Sequence, residues 1–150
     1  MINKIKKTIG RREKISFPDL GLFNIEAKID TGAYTTALHC HDILLDSSTE
    51  NPVLLFKLLD PSHPEYNEQI HRFIDFSKKE IKNSFGTLEE RYIIKTKVKI
   101  GNKTINTVIS LTDRGNMRYP VLIGRKLLKN KFIVDISQIY LTEKKKKKVV

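Results

Sequence analysis

The sequence predicts an all-β fold, a barrel or sandwich of short strands, and three observations carry that prediction. Period-two alternation recurs in short runs, a strong hairpin lies late in the chain, and only Gly124 to Asn130 reads as helix, one or two turns long.

The elements follow in chain order. Ile25, Ala27 and Ile29 alternate with Glu26, Lys28 and Asp30, a strand that runs straight into Thr31-Gly32-Ala33. Ala37 to Leu45 and Val53 to Leu59 are the next two strand candidates. Asp60 to Gln69 holds Pro61, Pro64 and several polar residues and reads as loop. Phe73 to Ile81 and Glu89 to Ile93 read as extended arms around a turn at Asn83-Ser84-Phe85-Gly86. Between Tyr92 and Ile100, Lys95, Lys97 and Lys99 share one face, which describes a strand with one wet side. Gly101-Asn102 is a two-residue hairpin turn, after which Ile105, Thr107, Ile109 and Leu111 resume the alternation. Val121 to Ile123 is a short apolar strand, and Phe132 to Leu141 reads as a final one. No internal repeat is present.

A chain of 150 residues with 39% hydrophobic content suits one globular domain. The net charge is +11, and removing the five lysines Lys144 to Lys148 still leaves +6. Such an excess favours an acidic partner: nucleic acid, an anionic membrane surface or a carboxylate-rich peptide. Cys40 is the only cysteine, which excludes an intrachain disulfide and a cysteine-based zinc cluster. Met1 to Lys7 lacks the apolar run of a signal peptide, and no span of about 18 apolar residues exists to form a transmembrane helix. A soluble cytoplasmic protein, with no membrane partner, is expected. The tail Glu143 to Val150 is expected to be disordered, because like charges repel and little of it can be buried.

Asp30-Thr31-Gly32 carries the chemistry. A carboxylate on a tight turn is what an aspartic peptidase presents to a scissile carbonyl, and Gly32, without a Cβ, lets backbone approach closely. Thr31 can hold the turn by hydrogen bonding across to a partner loop. The reaction needs a second carboxylate: two Asp side chains a few ångströms apart share one proton. One then serves as base toward water and the other as acid toward the carbonyl oxygen. No second Asp-Thr-Gly or Asp-Ser-Gly exists; Asp75-Phe76, Asp113-Arg114 and Asp135-Ile136 lack the glycine turn. A catalytic Asp30 therefore calls for Asp30 of a second copy and a twofold axis through the site.

Ile29-Asp30-Thr31-Gly32-Ala33 resembles the active-site motif of retropepsins, and Pro120 through Leu128 resembles the strand-helix segment near the end of retroviral proteases. The whole pattern is similar to the RimK-associated retropepsin-like aspartic peptidases, the RimB type, often labelled ATP-dependent zinc proteases. The matching segments are Ile9 to Glu13, Ala27 to His39, Glu89 to Ile94, Leu111-Thr112, Asn116-Met117-Arg118 and Leu122 to Arg125. Relative to a minimal viral protease the spacing calls for an insertion, placed at Asp60 to Gln69.

The resemblance implies a retropepsin-like acid-protease barrel with one short C-terminal helix, assembled as a homodimer. Residues 1–7 would be an N-terminal extension, 8–142 the peptidase domain and 143–150 the Lys-rich tail. It further implies Asp30 as catalytic residue, Thr31, Gly32 and Ala33 as active-site loop, and Gly124 with Arg125 as structural support. A hairpin at Ser84 and Gly86 would form a flap that, with Arg91 and Arg118, meets the substrate. Lys79, Ile81, Ser84 and Gly86 resemble the family's basic-aliphatic-Ser-Gly pattern. No metal or cofactor is implied, despite the label. Neighbourhood with a glutamate ligase suggests that the substrate is a glutamate-rich tail on a ribosomal protein, with association to the ribosome. One departure stands out: retropepsins carry an Asp after Asp-Thr-Gly-Ala that pairs with the Arg of the Gly-Arg segment, and here that position is Tyr34.

Two other readings remain. His39 and His41 share a strand face, as metal ligands can, and His63 and His71 could complete a zinc peptidase site. No His-Glu-x-x-His helix accompanies them. Alternatively the chain is a non-catalytic basic module that binds ribosome or RNA. The Lys95, Lys97 and Lys99 stripe reads first as a solvated face and second as an attractor of acidic substrate.

Overall fold

The computed structural model describes residues 5–82, 85–113 and 118–143, and the protein is almost entirely β. Among the described residues, eleven strands are joined by one 3₁₀ turn and one short helix. They are β1 (Lys7–Gly10), β2 (Arg12–Phe17), β3 (Leu22–Ile29), β4 (Thr36–Asp46), β5 (Val53–Leu58), β6 (His71–Phe73), β7 (Ser77–Lys82), β8 (Leu88–Ile100), β9 (Lys103–Thr112), β10 (Val121–Ile123) and β11 (Phe132–Asp135). Helix α1 covers Arg125–Leu128 and the 3₁₀ turn Pro18–Leu20.

Six strands close on themselves in the order β10-β3-β2-β8-β9-β4, with β10 completing the ring by pairing parallel to β3 and antiparallel to β4. Closure removes the free edges that an open sheet would expose. Alternation fills the interior: Ile94, Val98 and Ile100 of β8 are buried while Lys95, Lys97 and Lys99 face out, and Ile15, Ile25, Leu38, Ile109 and Ile123 complete the core. The β8–β9 hairpin forms as the sequence predicts, pairing Ile100 with Lys103 across Gly101-Asn102, with Gly101 at φ 59°.

Outside the ring, β5 and β6 extend antiparallel from β4, β7 pairs with β8, and β1 with β11 makes a separate parallel ribbon. The interval from Asp60 to Gln69 is irregular, as expected, and joins β5 to β6.

Three strand expectations are corrected. The arm Phe73 to Ile81 is split, because His71–Phe73 pairs with β5 whereas Ser77–Lys82 pairs with β8. The last strand ends at Asp135, not Leu141: the Asp135 carboxylate accepts from Ser137 N at 3.0 Å, Ser137 Oγ at 2.6 Å and Gln138 Nε2 at 2.7 Å, closing a turn. Finally, β1 and β2 were not foreseen as strands. Glu13 on the inner face of β2 breaks the apolar alternation, yet it is fully buried. Its carboxylate accepts from Gly10 N, Leu141 N, Thr142 N and Thr142 Oγ1, at 2.7 to 3.1 Å, strapping the C-terminal segment onto the barrel. The predicted tail beyond Glu143 and the turn residues Asn83 and Ser84 lie outside the described residues.

Candidate active site

Asp30 stands where β3 leaves the barrel. Its backbone N donates to Ile123 O of β10 at 2.8 Å, and Ala33 N donates back to Asp30 O at 3.2 Å, so the chain turns sharply over Thr31-Gly32. Gly32 N donates to Asp30 Oδ1 at 3.1 Å, which orients the carboxylate. An ideal Cβ on Gly32 would sit 3.3 Å from that same oxygen, so a larger residue would crowd the carboxylate. Asp30 is half-buried, whereas Thr31 and Gly32 are exposed.

The segment after β10 buttresses the turn. Arg125 N donates to Ala33 O at 2.8 Å and Lys126 N to Tyr34 O at 2.9 Å, while buried Gly124 N donates to Thr36 Oγ1 at 3.1 Å. A Cβ on Gly124 would lie 2.6 Å from Tyr34 O, so only glycine allows this approach. The Arg125 guanidinium donates from Nη1 to Thr31 O at 2.9 Å and lies 5.8 Å from the centroid of the Tyr34 ring. The departure at Tyr34 is thereby accounted for: an aromatic face takes the place of a carboxylate beneath the guanidinium.

A cavity of about 470 Å³ opens over Asp30. The loop supplies Gly32, Ala33 and Tyr34, and the β7–β8 hairpin supplies Glu80, Ile81, Lys82, Gly86 and Arg91, with Arg125 alongside. Among the residues singled out from sequence, Asp30, Gly32, Ala33, Gly86, Arg91 and Arg125 line one space. Gly124 sits behind it and Thr31 beside it. Ser84 lies outside the described residues. Arg118 is exposed with its guanidinium 5.6 Å from the Tyr119 ring, and it is not among the described lining residues. Arg91 is buried and held by Glu89, whose carboxylate accepts from Nη2 at 2.7 Å and Nε at 3.1 Å. Sequence reasoning missed Glu80 and Lys82, whose signal was their shared parity on β7. It also missed Thr36, one hydroxyl in a polar stretch and not distinguishable from its neighbour Thr35.

The histidines go separate ways. His39 is buried, its Nε2 3.1 Å from Asp60 Oδ2, and both ring nitrogens lack a well-directed hydrogen bond in the described structure. The close N–O distance identifies the pair even though the angle is poor. Asp60 is held below the usual carboxylate range chiefly by Ser62 and in lesser part by His39. His41 faces Asp42, His71 stacks on Phe56, and His63 Nδ1 accepts from Glu65 N. Among the described residues no three His, Cys, Asp or Glu side chains gather as a metal site would require. Cys40 is fully buried, and burial, with the charge of Asp113, pushes its thiol far above the usual range. No helix among the described residues is long and apolar enough to cross a membrane.

With this geometry in view, comparison with known proteins gives a consistent result. A crystal structure of a Legionella pneumophila protein of unknown function superposes with a TM-score of 0.69 at 24% identity, covering 93% of this chain and 100% of that one, a likeness of fold. A probable alpha-L-glutamate ligase of Shewanella halifaxensis is 33% identical over 141 residues, and one of Desulfotalea psychrophila 31% over 135. The matches cover 90% and 87% of this chain but 30% and 28% of those proteins, so the chain spans less than a third of the relatives' length. Residues 8–145 match the RimB-like family, described as retropepsin-like aspartic endopeptidase RimB. The chain belongs to that RimB-like family of retropepsin-like aspartic endopeptidases.

Proposed function

We propose that this protein is a homodimeric aspartic peptidase that hydrolyses peptide bonds in glutamate-rich chains, with the oligo-glutamate tail of a ribosomal protein as its substrate. The observation that carries the reading is the Asp30 turn: a half-buried carboxylate, oriented by Gly32 N–H, at a cavity roofed by a β-hairpin. One Asp30 per chain makes the catalytic pair a property of two chains. The two carboxylates share a proton; one takes a proton from the attacking water while the other gives one to the carbonyl oxygen. Thr31, Gly32 and Ala33 shape the loop, Gly124 and Arg125 hold it, and the hairpin around Ser84 and Gly86 covers the substrate.

Charge supports the choice of substrate. Lys82 and Arg125 stand with Glu80 around Asp30, Arg91 being already paired with Glu89, and charge-assisted bonds to carboxylates are stronger than neutral ones. Glu89 already shows how Arg91 grips a carboxylate with two nitrogens. Arg118 is proposed to join them when substrate is bound. The names of the relatives add a second support. In proteins named as probable glutamate ligases, a segment similar to this chain belongs to the same polypeptide. A peptidase beside a glutamate-adding activity has an oligo-glutamate product to act on.

The test is cleavage of an oligo-glutamate peptide followed by mass spectrometry. Asp30→Asn should lower turnover by at least about 10³-fold with an unchanged circular dichroism spectrum, and a chelator should leave the wild type unaffected. Activity that survives Asp30→Asn, or that a chelator removes, refutes the aspartic mechanism. A species that sediments as a monomer under all active conditions refutes the shared pair.

A further inference from the structure

We propose that the outer face of β3–β2–β8–β9 is a docking surface for the phosphate backbone of RNA, separate from the Asp30 cavity. Register places the residues. Arg12 pairs with Lys28, Lys14 with Glu26, Ser16 with Lys99, Lys99 with Thr104 and Lys97 with Asn106, so all of these positions lie on one face. The opposite side of the same strands carries Ile15, Ile25, Ala27, Val98, Ile100 and Ile105, all buried. The outward face therefore holds Arg12, Lys14, Lys28, Lys95, Lys97 and Lys99 against three acids: Glu26 on β3, Glu143 beside Lys14, and Asp19, which lines a cavity with Lys95 and Lys97. Glu26 accepts from Tyr140 Oη. Among the described residues the only ion pair on this face is Lys14 with Glu143, at 3.6 Å.

Glu143 also fixes where the remaining chain starts. It lines, with Lys14 and Lys99, a cleft of about 500 Å³ on this same face. Lys144 to Lys148 follow it directly in sequence. None of the six basic residues lines the cavity over Asp30.

Charge complementarity selects the occupant. Lysines two apart on a strand recur every ~7 Å, and neighbouring strands lie ~4.8 Å apart, so the charges are spread across several strands, with Lys14 and Lys99 at one cleft and Lys95 and Lys97 at another. A broad field of mostly lysine point charges suits the phosphates of a nucleic acid, whereas bidentate gripping of carboxylates favours arginine. The ring of Tyr140 is occupied by Arg12 and Lys14, 5.9 and 5.7 Å from its centroid, so that ring offers no free platform for stacking a base. Binding is then to the backbone and independent of sequence, which a duplex satisfies.

The test uses the full chain and a 20-base-pair RNA duplex of arbitrary sequence, with binding followed by fluorescence anisotropy across a salt series. The variant Lys95→Glu/Lys97→Glu/Lys99→Glu should bind at least about 10-fold more weakly, and its log–log salt slope should be shallower by about 2. The control Lys6→Glu/Arg72→Glu/Lys129→Glu makes the same change in net charge and should bind more tightly than the face variant. Thermal melts confirm that both fold. Equal affinity of the two variants overturns the proposal. So does loss of all binding when the chain ends at Glu143 with no effect of the face variant, which would assign docking to the tail alone. An oligo-glutamate peptide that binds this face in preference to the duplex overturns it as well. Asp30→Asn should bind RNA like wild type, so the outcome is independent of the peptidase reading.

Discussion

Asp30 owes its position to bonds of its backbone as well as to the one its carboxylate accepts. Ile123 O, Ala33 N and Gly32 N set the backbone and the carboxylate, and Arg125 braces the loop from outside. The brace is testable at Tyr34, which is 57% exposed and so contributes little by burial. Tyr34→Ala should cost about 0.5–1 kcal/mol in urea denaturation, the worth of an exposed cation–π contact, and Tyr34→Phe should cost almost nothing. The same Tyr34→Ala change should reduce turnover more than it reduces stability, because the loop it loosens holds Asp30. Asp30 was legible in the sequence because Asp-Thr-Gly is a local signal. The use of Tyr34 was not, since whether a ring lies beneath a guanidinium 91 positions away depends on how the barrel closes.

Among the elements, legibility followed the same division. The β8–β9 hairpin and β10 were readable because alternation and a Gly-Asn turn are properties of adjacent residues. β2 was hidden by Glu13, an inward-facing acid satisfied by donors from residues 141 and 142 at the far end of the chain. The final strand was overestimated because Ile136 prolongs the apolar pattern while Asp135 has already begun a turn. Contact between β10, α1 and the Asp30 loop depends on Gly124. Gly124→Ala would push a methyl group to within 3 Å of the Tyr34 and Thr35 backbone, which cannot give way as a flexible side chain can. We expect a loss of about 1–3 kcal/mol in denaturant midpoints and a larger loss of activity than Gly86→Ala produces. Gly86, at φ 83°, strains only the hairpin tip.

For the whole molecule, one Asp-Thr-Gly per chain makes the proposed catalytic pair a matter of two chains. If the active unit contains two chains, association must stabilise the folded state by mass action. The melting temperature should therefore rise with protein concentration across a hundredfold range, and specific activity should fall on dilution below the dissociation constant. A melting temperature independent of concentration, together with constant specific activity, would speak against assembly. The fold class was legible at this scale because six strands of alternating residues have few ways to hide their edges. The ring order was not, because β10 is inserted between β3 and β4 from more than 80 positions away.

That insertion has a thermal consequence. β10 is three residues long, yet it is the seam of the barrel and also the source of the carbonyl that anchors Asp30. The first hydrogen bonds lost when the seam unzips are thus those that hold Asp30, the proposed reacting group. Heat should silence such an enzyme at the moment its cylinder opens, with little margin in which an intact barrel carries a slack active site. Amide exchange at Asp30 and at the core of the cylinder should quicken together.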